Sequence, residues 1–204
     1  MDARDKQEEL TSKVKLTLDD AIKGLKIFAL NPVGGLPDFF KGLGKERALA
    51  VGIAFGLFYV FCFVFSMGSL AEDLTYFLDF LDIEISSFQL ILLSVGNFLS
   101  IVGASFLTRK IFRGYGQIQG DTFIAGVALA PISFLILFTK LLGIGNAEIV
   151  TVVAIIAITY TILMLYTGCN KISGIAETAS ALSVSAMIIL SVWLYKILIS
   201  MAFT

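Results

Sequence analysis

The chain has no histidine, and its 204 residues include only two cysteines, three prolines and one tryptophan. Lack of histidine removes the commonest metal ligand and the commonest general base. Cys62 lies inside an apolar run and Cys169 beside a polar one. A disulfide between them is not expected, and both read as small buried residues. No Gly-rich phosphate loop followed by Lys and Ser/Thr occurs, and no Gly-x-Ser-x-Gly elbow. Charge is scarce too, and the net charge of −1 sums nearly balanced halves, so nothing points to nucleic acid. These absences leave no catalytic residue, no cofactor and no metal site to assign, and the expectation is a protein that is not an enzyme.

Apolar sequence is what the chain has in quantity. Five runs, at about 48–67, 88–108, 123–142, 147–167 and 179–199, each approach the roughly 20 apolar residues needed to cross a bilayer. A soluble domain of this length cannot bury five such helices in succession. The expected fold is all-α and polytopic: a 1–47 N-terminal segment, then a five-span transmembrane domain over 48–204. No Asp, Glu, Lys or Arg falls at the centre of a run; Lys140, Glu148, Glu177 and Lys196 lie near run ends. Proton relays and ion-coupled carriers place ionisable groups at membrane depth, so both classes lose support.

The basic residues set the orientation. Arg4, Lys6, Lys13, Lys15, Lys23, Lys26, Lys41, Lys45 and Arg47 precede the first run, Arg109, Lys110 and Arg113 follow the second, and Lys171 precedes the fifth. All of these fall on one side of a five-span weave, leaving only Lys140 and Lys196 opposite. The opposite loop at 68–87 holds Glu72, Asp73, Asp79, Asp82 and Glu84 and no base. Short loops rich in Lys and Arg stay inside, so the N-terminus is expected in the cytoplasm and the C-terminus outside. The implied setting is a multi-pass protein of a bacterial inner (cytoplasmic) membrane, its first span serving as a retained signal anchor.

Within 1–47, Leu10, Val14, Leu18, Ala21, Ile22, Leu25, Phe28 and Ala29 recur at three and four, the spacing of an amphipathic helix. Its stripe must be covered by lipid surface or by protein, and Asp19 and Asp20 interrupting the basic face favour docking on the spans. Asn31 to Pro37 breaks this helix, with Pro37 and Asp38 suited to the first turn of a short new one. Phe39 and Phe40 are then expected at the membrane interface. In the outer loop, Ser69 as a cap and a Leu70–Leu74–Phe77–Leu78–Leu81 stripe predict an acidic interfacial helix rather than a calcium loop. Residues 114–120 read as a flexible turn.

Inside the spans, Ala48, Gly52 and Gly56, and likewise Gly126 and Ala130, make small-residue ridges that favour close helix contact within the chain or between copies. Pro131 is expected to kink the third span and free carbonyls for a neighbour. Gln89, Ser94, Asn97, Ser100 and Ser105 on the second span, and Ser180, Ser183, Ser185 and Ser191 on the fifth, are read as interhelical hydrogen-bonding groups, with Asn97 the one amide near mid-bilayer.

With its N-terminal segment, five closely spaced spans and very short C-terminus, the chain resembles the Yip family (Ypt-interacting proteins) and its bacterial relatives. The stretch Gly120-Asp121-Thr122-Phe123 through Gly126 to Ala130-Pro131, and Lys171 to Ala179 before the last span, carry the resemblance over about 48–200. It implies a non-enzymatic integral membrane scaffold or interaction protein, acting in membrane organisation or in assembly of a partner complex. A small GTPase partner is implied by the resemblance alone. Lipid bilayer contact and membership of a homo-oligomer or larger membrane complex are expected. The competing class is a small permease or lipid-handling protein, with Pro131 and the polar face of the second span lining a path.

Overall fold

A computed structural model describes residues 3–73, 86–142 and 147–202. Six α-helices lie among them: α1 (Ala3–Leu30), α2 (Gly35–Asp73), α3 (Ser87–Ile111), α4 (Ile118–Leu142), α5 (Ala147–Thr167) and α6 (Glu177–Ala202). A π-helical turn, Gly168–Ile172, extends α5, and the described residues contain no strand. α2 to α6 are each long and apolar enough to cross a bilayer, so the chain is an all-α, multi-pass integral membrane protein.

α4 forms the centre. Of its most apolar stretch, 56% is buried, against 17% for α5 and for α6. α2 packs along α4 most extensively, α5 covers another side of α4, and α3 bridges the α2–α4 pair to α6. Near-continuous apolar sequence on α5 and α6 suits helices whose outer faces meet lipid rather than water.

α2 is two helices joined at Gly44, whose φ of 73° and ψ of 173° interrupt the helical backbone. Only glycine adopts that geometry without strain. The first piece starts at Gly35 with Asp38 in its first turn, the charge a helix N-terminus favours. Asn31 makes the turn into it: its Oδ1 accepts from the Gly34 amide at 2.8 Å and its carbonyl from the Gly35 amide at 2.9 Å. Phe39 and Phe40, expected at the membrane interface, pack against protein. Both turn inward onto Phe123 of α4, at ring distances of 6.4 and 5.3 Å.

Two further expectations change. Ser69 is not at a helix start, because the α2 backbone continues through it to Asp73. The remainder of the acidic stripe, with Leu74, Phe77, Leu78 and Leu81, lies outside the described residues. The stretch 114–120 is not all turn: residues 118–120 open α4, and Gly116 is held against the segment after the π-turn. The Gly116 amide donates to the Ser173 carbonyl at 3.0 Å, and a Cβ on Gly116 would sit 2.8 Å from the Ile172 carbonyl oxygen. Arg113 and Gly174, with φ of 57° and 68°, complete the two turns that meet there.

Candidate functional site

Three features stand out, two toward the basic end of the bundle and a third between the end of α1 and the middle of two spans. The first is an ion pair. Arg109 ends α3 with its Nη2 2.7 Å and Nε 3.0 Å from Asp121 Oδ2, and Ser105 Oγ donates to Oδ1 at 3.2 Å. The side chains are 7% and 0% exposed. Asp121 belongs to the first turn of α4, where the helix dipole also favours a carboxylate. Sequence patterning placed Arg109 among surface charges of a loop and left Asp121 without a role. The available signal was their juxtaposition across a short turn, each beside an apolar run.

The second feature is the docking of α1. Its C-terminal half lies against both parts of α2 and against α4 through Asp20, Ala21, Gly24 and Phe28, which are buried. Arg47 straps it down: Nε and Nη2 reach Asp20 Oδ2 at 2.9 and 2.7 Å, and Nη2 reaches Oδ1 at 2.6 Å. Phe28 meets Phe39 edge-on at 5.4 Å and lies 6.2 Å from Phe55 and 6.4 Å from Phe123. At Gly24 a Cβ would fall 2.9 Å from the Phe39 ring, so glycine lets the two helices approach. Part of the predicted stripe takes no share in this. Leu10, Val14, Leu18 and Ile22 are exposed, on the flank of α1 next to the docked face. Toward the N-terminus, Lys13 donates to Glu9 at 2.6 Å on a fully solvated surface and holds that carboxyl below its ordinary range.

The third feature is an apolar groove of about 450 Å³ between the end of α1 and the middle of α4 and α5. Leu25 and Ala29 form one wall, Pro131 and Phe134 another, and Ile156 and Tyr160 the third. α4 runs through Pro131 uninterrupted. Proline removes one ladder bond and its ring crowds the next, and Thr161 of α5 donates to the nearby Ala128 carbonyl at 3.0 Å. Tyr160 closes the end of the groove by donating to the Ala29 carbonyl at 3.1 Å.

The other residues singled out in the sequence lie in the packing around these features. Gly52 and Gly126 meet back to back: a Cβ on Gly52 would be 2.7 Å from the Thr122 carbonyl oxygen and the Phe123 Cα, and one on Gly126 would strike the Gly52 carbonyl. Gly56 receives the Phe98 ring of α3, 2.7 Å from where its Cβ would be. Ala48 and Ala130 are buried. Asn97 donates to the Tyr59 hydroxyl at 2.7 Å and ties α3 to α2.

The serines mostly do not act between helices. Ser94 and Ser100 donate to carbonyls one turn back in α3, and Ser183 and Ser191 do the same in α6. Ser180 accepts from Asn170 at 3.1 Å, and Gln89 is spent on the N-terminus of α3, where it forms a capping box with Ser86. At the opposite end Lys140 donates to the Phe65 carbonyl at 2.8 Å and lies over the Phe65 ring. No family model matches the chain, and neither a curated protein nor a solved structure does so.

Proposed function

We propose that the protein is a non-enzymatic membrane scaffold of the Yip type, which organises the membrane or a partner complex from its basic end. The observation that carries this reading is the state of α1: one face is strapped to the bundle by Arg47–Asp20 and Phe28, while the row Leu10, Val14, Leu18 and Ile22 stays exposed beside it. A helix anchored by its C-terminal half and carrying an unfilled apolar row is an interaction surface. The buried polar groups support the same reading. Arg109 and Asp121 neutralise each other, and Asn97 and Tyr59 satisfy one another, so these groups hold helices together instead of facing a passage.

The basic distribution supports placing this end in the cytoplasm and the whole protein in a bacterial inner membrane. Single cysteines replacing Tyr115, at the basic end, and Glu148, at the other, test the orientation. Glu148→Cys should label from outside in intact cells, and Tyr115→Cys only after permeabilisation; the reverse pattern inverts the topology. The scaffold reading is tested by the triple variant Val14→Ser, Leu18→Ser, Ile22→Ser. It should fold with unchanged stability yet lose the species crosslinked to the wild-type protein in native membranes. Retention of the same crosslinked species would overturn the reading. A second reading, lipid handling, draws on the groove at Pro131 and predicts instead that transfer of lipid between vesicles depends on the protein.

A further inference from the structure

We infer that the groove between α1, α4 and α5 is a binding site for one anionic phospholipid of the surrounding bilayer, with its acyl chain against Pro131 and Phe134 and its headgroup on Lys26. This inference requires only the groove and its rim, and stands apart from the scaffold reading above.

Three observations converge on a lipid. The volume of about 450 Å³ falls within the range of sites that enclose a small molecule, and its walls are almost wholly aliphatic and aromatic. Its open side continues into surface that already belongs to the bilayer: Phe134 and Ile156 line the groove and are themselves exposed, and Leu30 beside it is among the most exposed apolar side chains of the protein. An acyl chain enters such a groove directly from the adjacent leaflet and leaves no apolar wall unfilled. A soluble ligand would have to cross the headgroup layer first.

Charge at the rim selects the headgroup. Lys26 is the one charged residue lining the groove, it is exposed, and among the described residues it makes no ion pair. It stands one turn of α1 from Ala29, which lines the wall, and Tyr160 pins the Ala29 carbonyl. That bond anchors the end of α1 that carries Lys26 beside the apolar walls, within reach of a lipid phosphate whose chain fills the groove. Lys15 and Lys23 on the same helix add positive potential without carboxylate partners of their own among the described residues. Of the acidic residues nearby, Asp20 is engaged by Arg47 and Asp121 by Arg109, which leaves the exposed Asp19 as the one carboxylate of α1 set among Lys15, Lys23 and Lys26.

The test uses the full chain in a non-ionic detergent, titrated with phosphatidylglycerol or phosphatidylcholine of identical acyl chains and read by native mass spectrometry. One phosphatidylglycerol should bind saturably and more tightly than phosphatidylcholine. Lys26→Glu, at an exposed position where folding is not at risk, should weaken phosphatidylglycerol by about tenfold or more and abolish the headgroup preference. Ala29→Trp, which narrows the groove without emptying any core position, should weaken both lipids alike, with thermal unfolding monitored in parallel. Equal binding of the two lipids by the wild type, or an unchanged phosphatidylglycerol affinity in Lys26→Glu, overturns the proposal. So does unchanged lipid binding in a folded Ala29→Trp. A dimer that forms as lipid is removed and is blocked by Ala29→Trp would make a second copy of the chain the occupant instead.

Discussion

Arg109 and Asp121 are twelve residues apart in sequence, and the turn between their helices lets them form a two-pronged ion pair that solvent scarcely reaches. The pair joins α3 to the first turn of the central helix, with Ser105 filling the carboxylate's remaining acceptor position. A charge at such a site is tolerable only while its partner is present, because desolvation of a lone ion far exceeds what neighbouring dipoles return.

Arg109→Ala should therefore destabilise the protein by about 3–5 kcal/mol, since Asp121 is left buried and unpaired. Replacing both residues by leucine should recover most of that loss. Thermal unfolding of the three variants in detergent gives the comparison, and a double variant no better than Arg109→Ala would show that the pair does more than neutralise itself.

The α2–α4 crossing depends on having no side chain at Gly52 or Gly126. Leucine at either position drives the backbones apart around the centre of the bundle, with an expected loss of at least about 3 kcal/mol. Gly56→Ala should be milder, because its neighbour is the Phe98 ring rather than backbone. Expression yield and monodispersity in detergent report the order Gly52→Leu worse than Gly56→Ala.

Gly44 carries the bend between the short first piece of α2 and its spanning part. With φ at 73°, alanine there should lose about 1–2 kcal/mol from backbone strain alone, since a Cβ at this position meets no neighbouring atom within 4 Å. Gly42→Ala provides the control: it lies in equally open space with helical backbone and should be neutral or slightly stabilising.

The spans were legible because each is a run of uninterrupted apolar residues, a signal that needs no knowledge of neighbours. The small residues at Gly52 and Gly126 were visible for a similar reason: spacing of four marks a ridge on any helix. Sequence could not tell that these two ridges face each other, or that Phe28, Phe39, Phe40, Phe55 and Phe123 form one cluster drawn from three helices. Aromatic residues favour the membrane interface and the protein core alike, and Phe39 is turned onto Phe28 and Phe123. The serines misled because a hydroxyl in a helix finds a carbonyl one turn back without any partner helix. Arg109 and Asp121 were hidden by the rule that charges at span ends are solvated, which fails where two loops close over them. The groove had only Pro131 as an outward sign.

The attachment of α1 makes the last prediction. Its docked half is held by Phe28, whose ring has lost nearly all contact with solvent, and by the Arg47–Asp20 pair, whose arginine is half exposed. The two contributions differ in size and in their response to salt. Phe28→Ala empties the centre of the aromatic cluster and should cost about 3 kcal/mol or more. Asp20→Ala should lose about 1.5 kcal/mol, the low end for charge-assisted hydrogen bonds, because water competes for the guanidinium. Release of α1 exposes Lys23 and Lys26 in unfolded chain, so trypsin cleavage there measures docking directly. Cleavage should be fast in Phe28→Ala at any ionic strength, slower in Asp20→Ala, and barely accelerated by salt in the wild type. If salt alone freed α1 in the wild type, electrostatic attraction and not the phenylalanine cluster would be the main attachment.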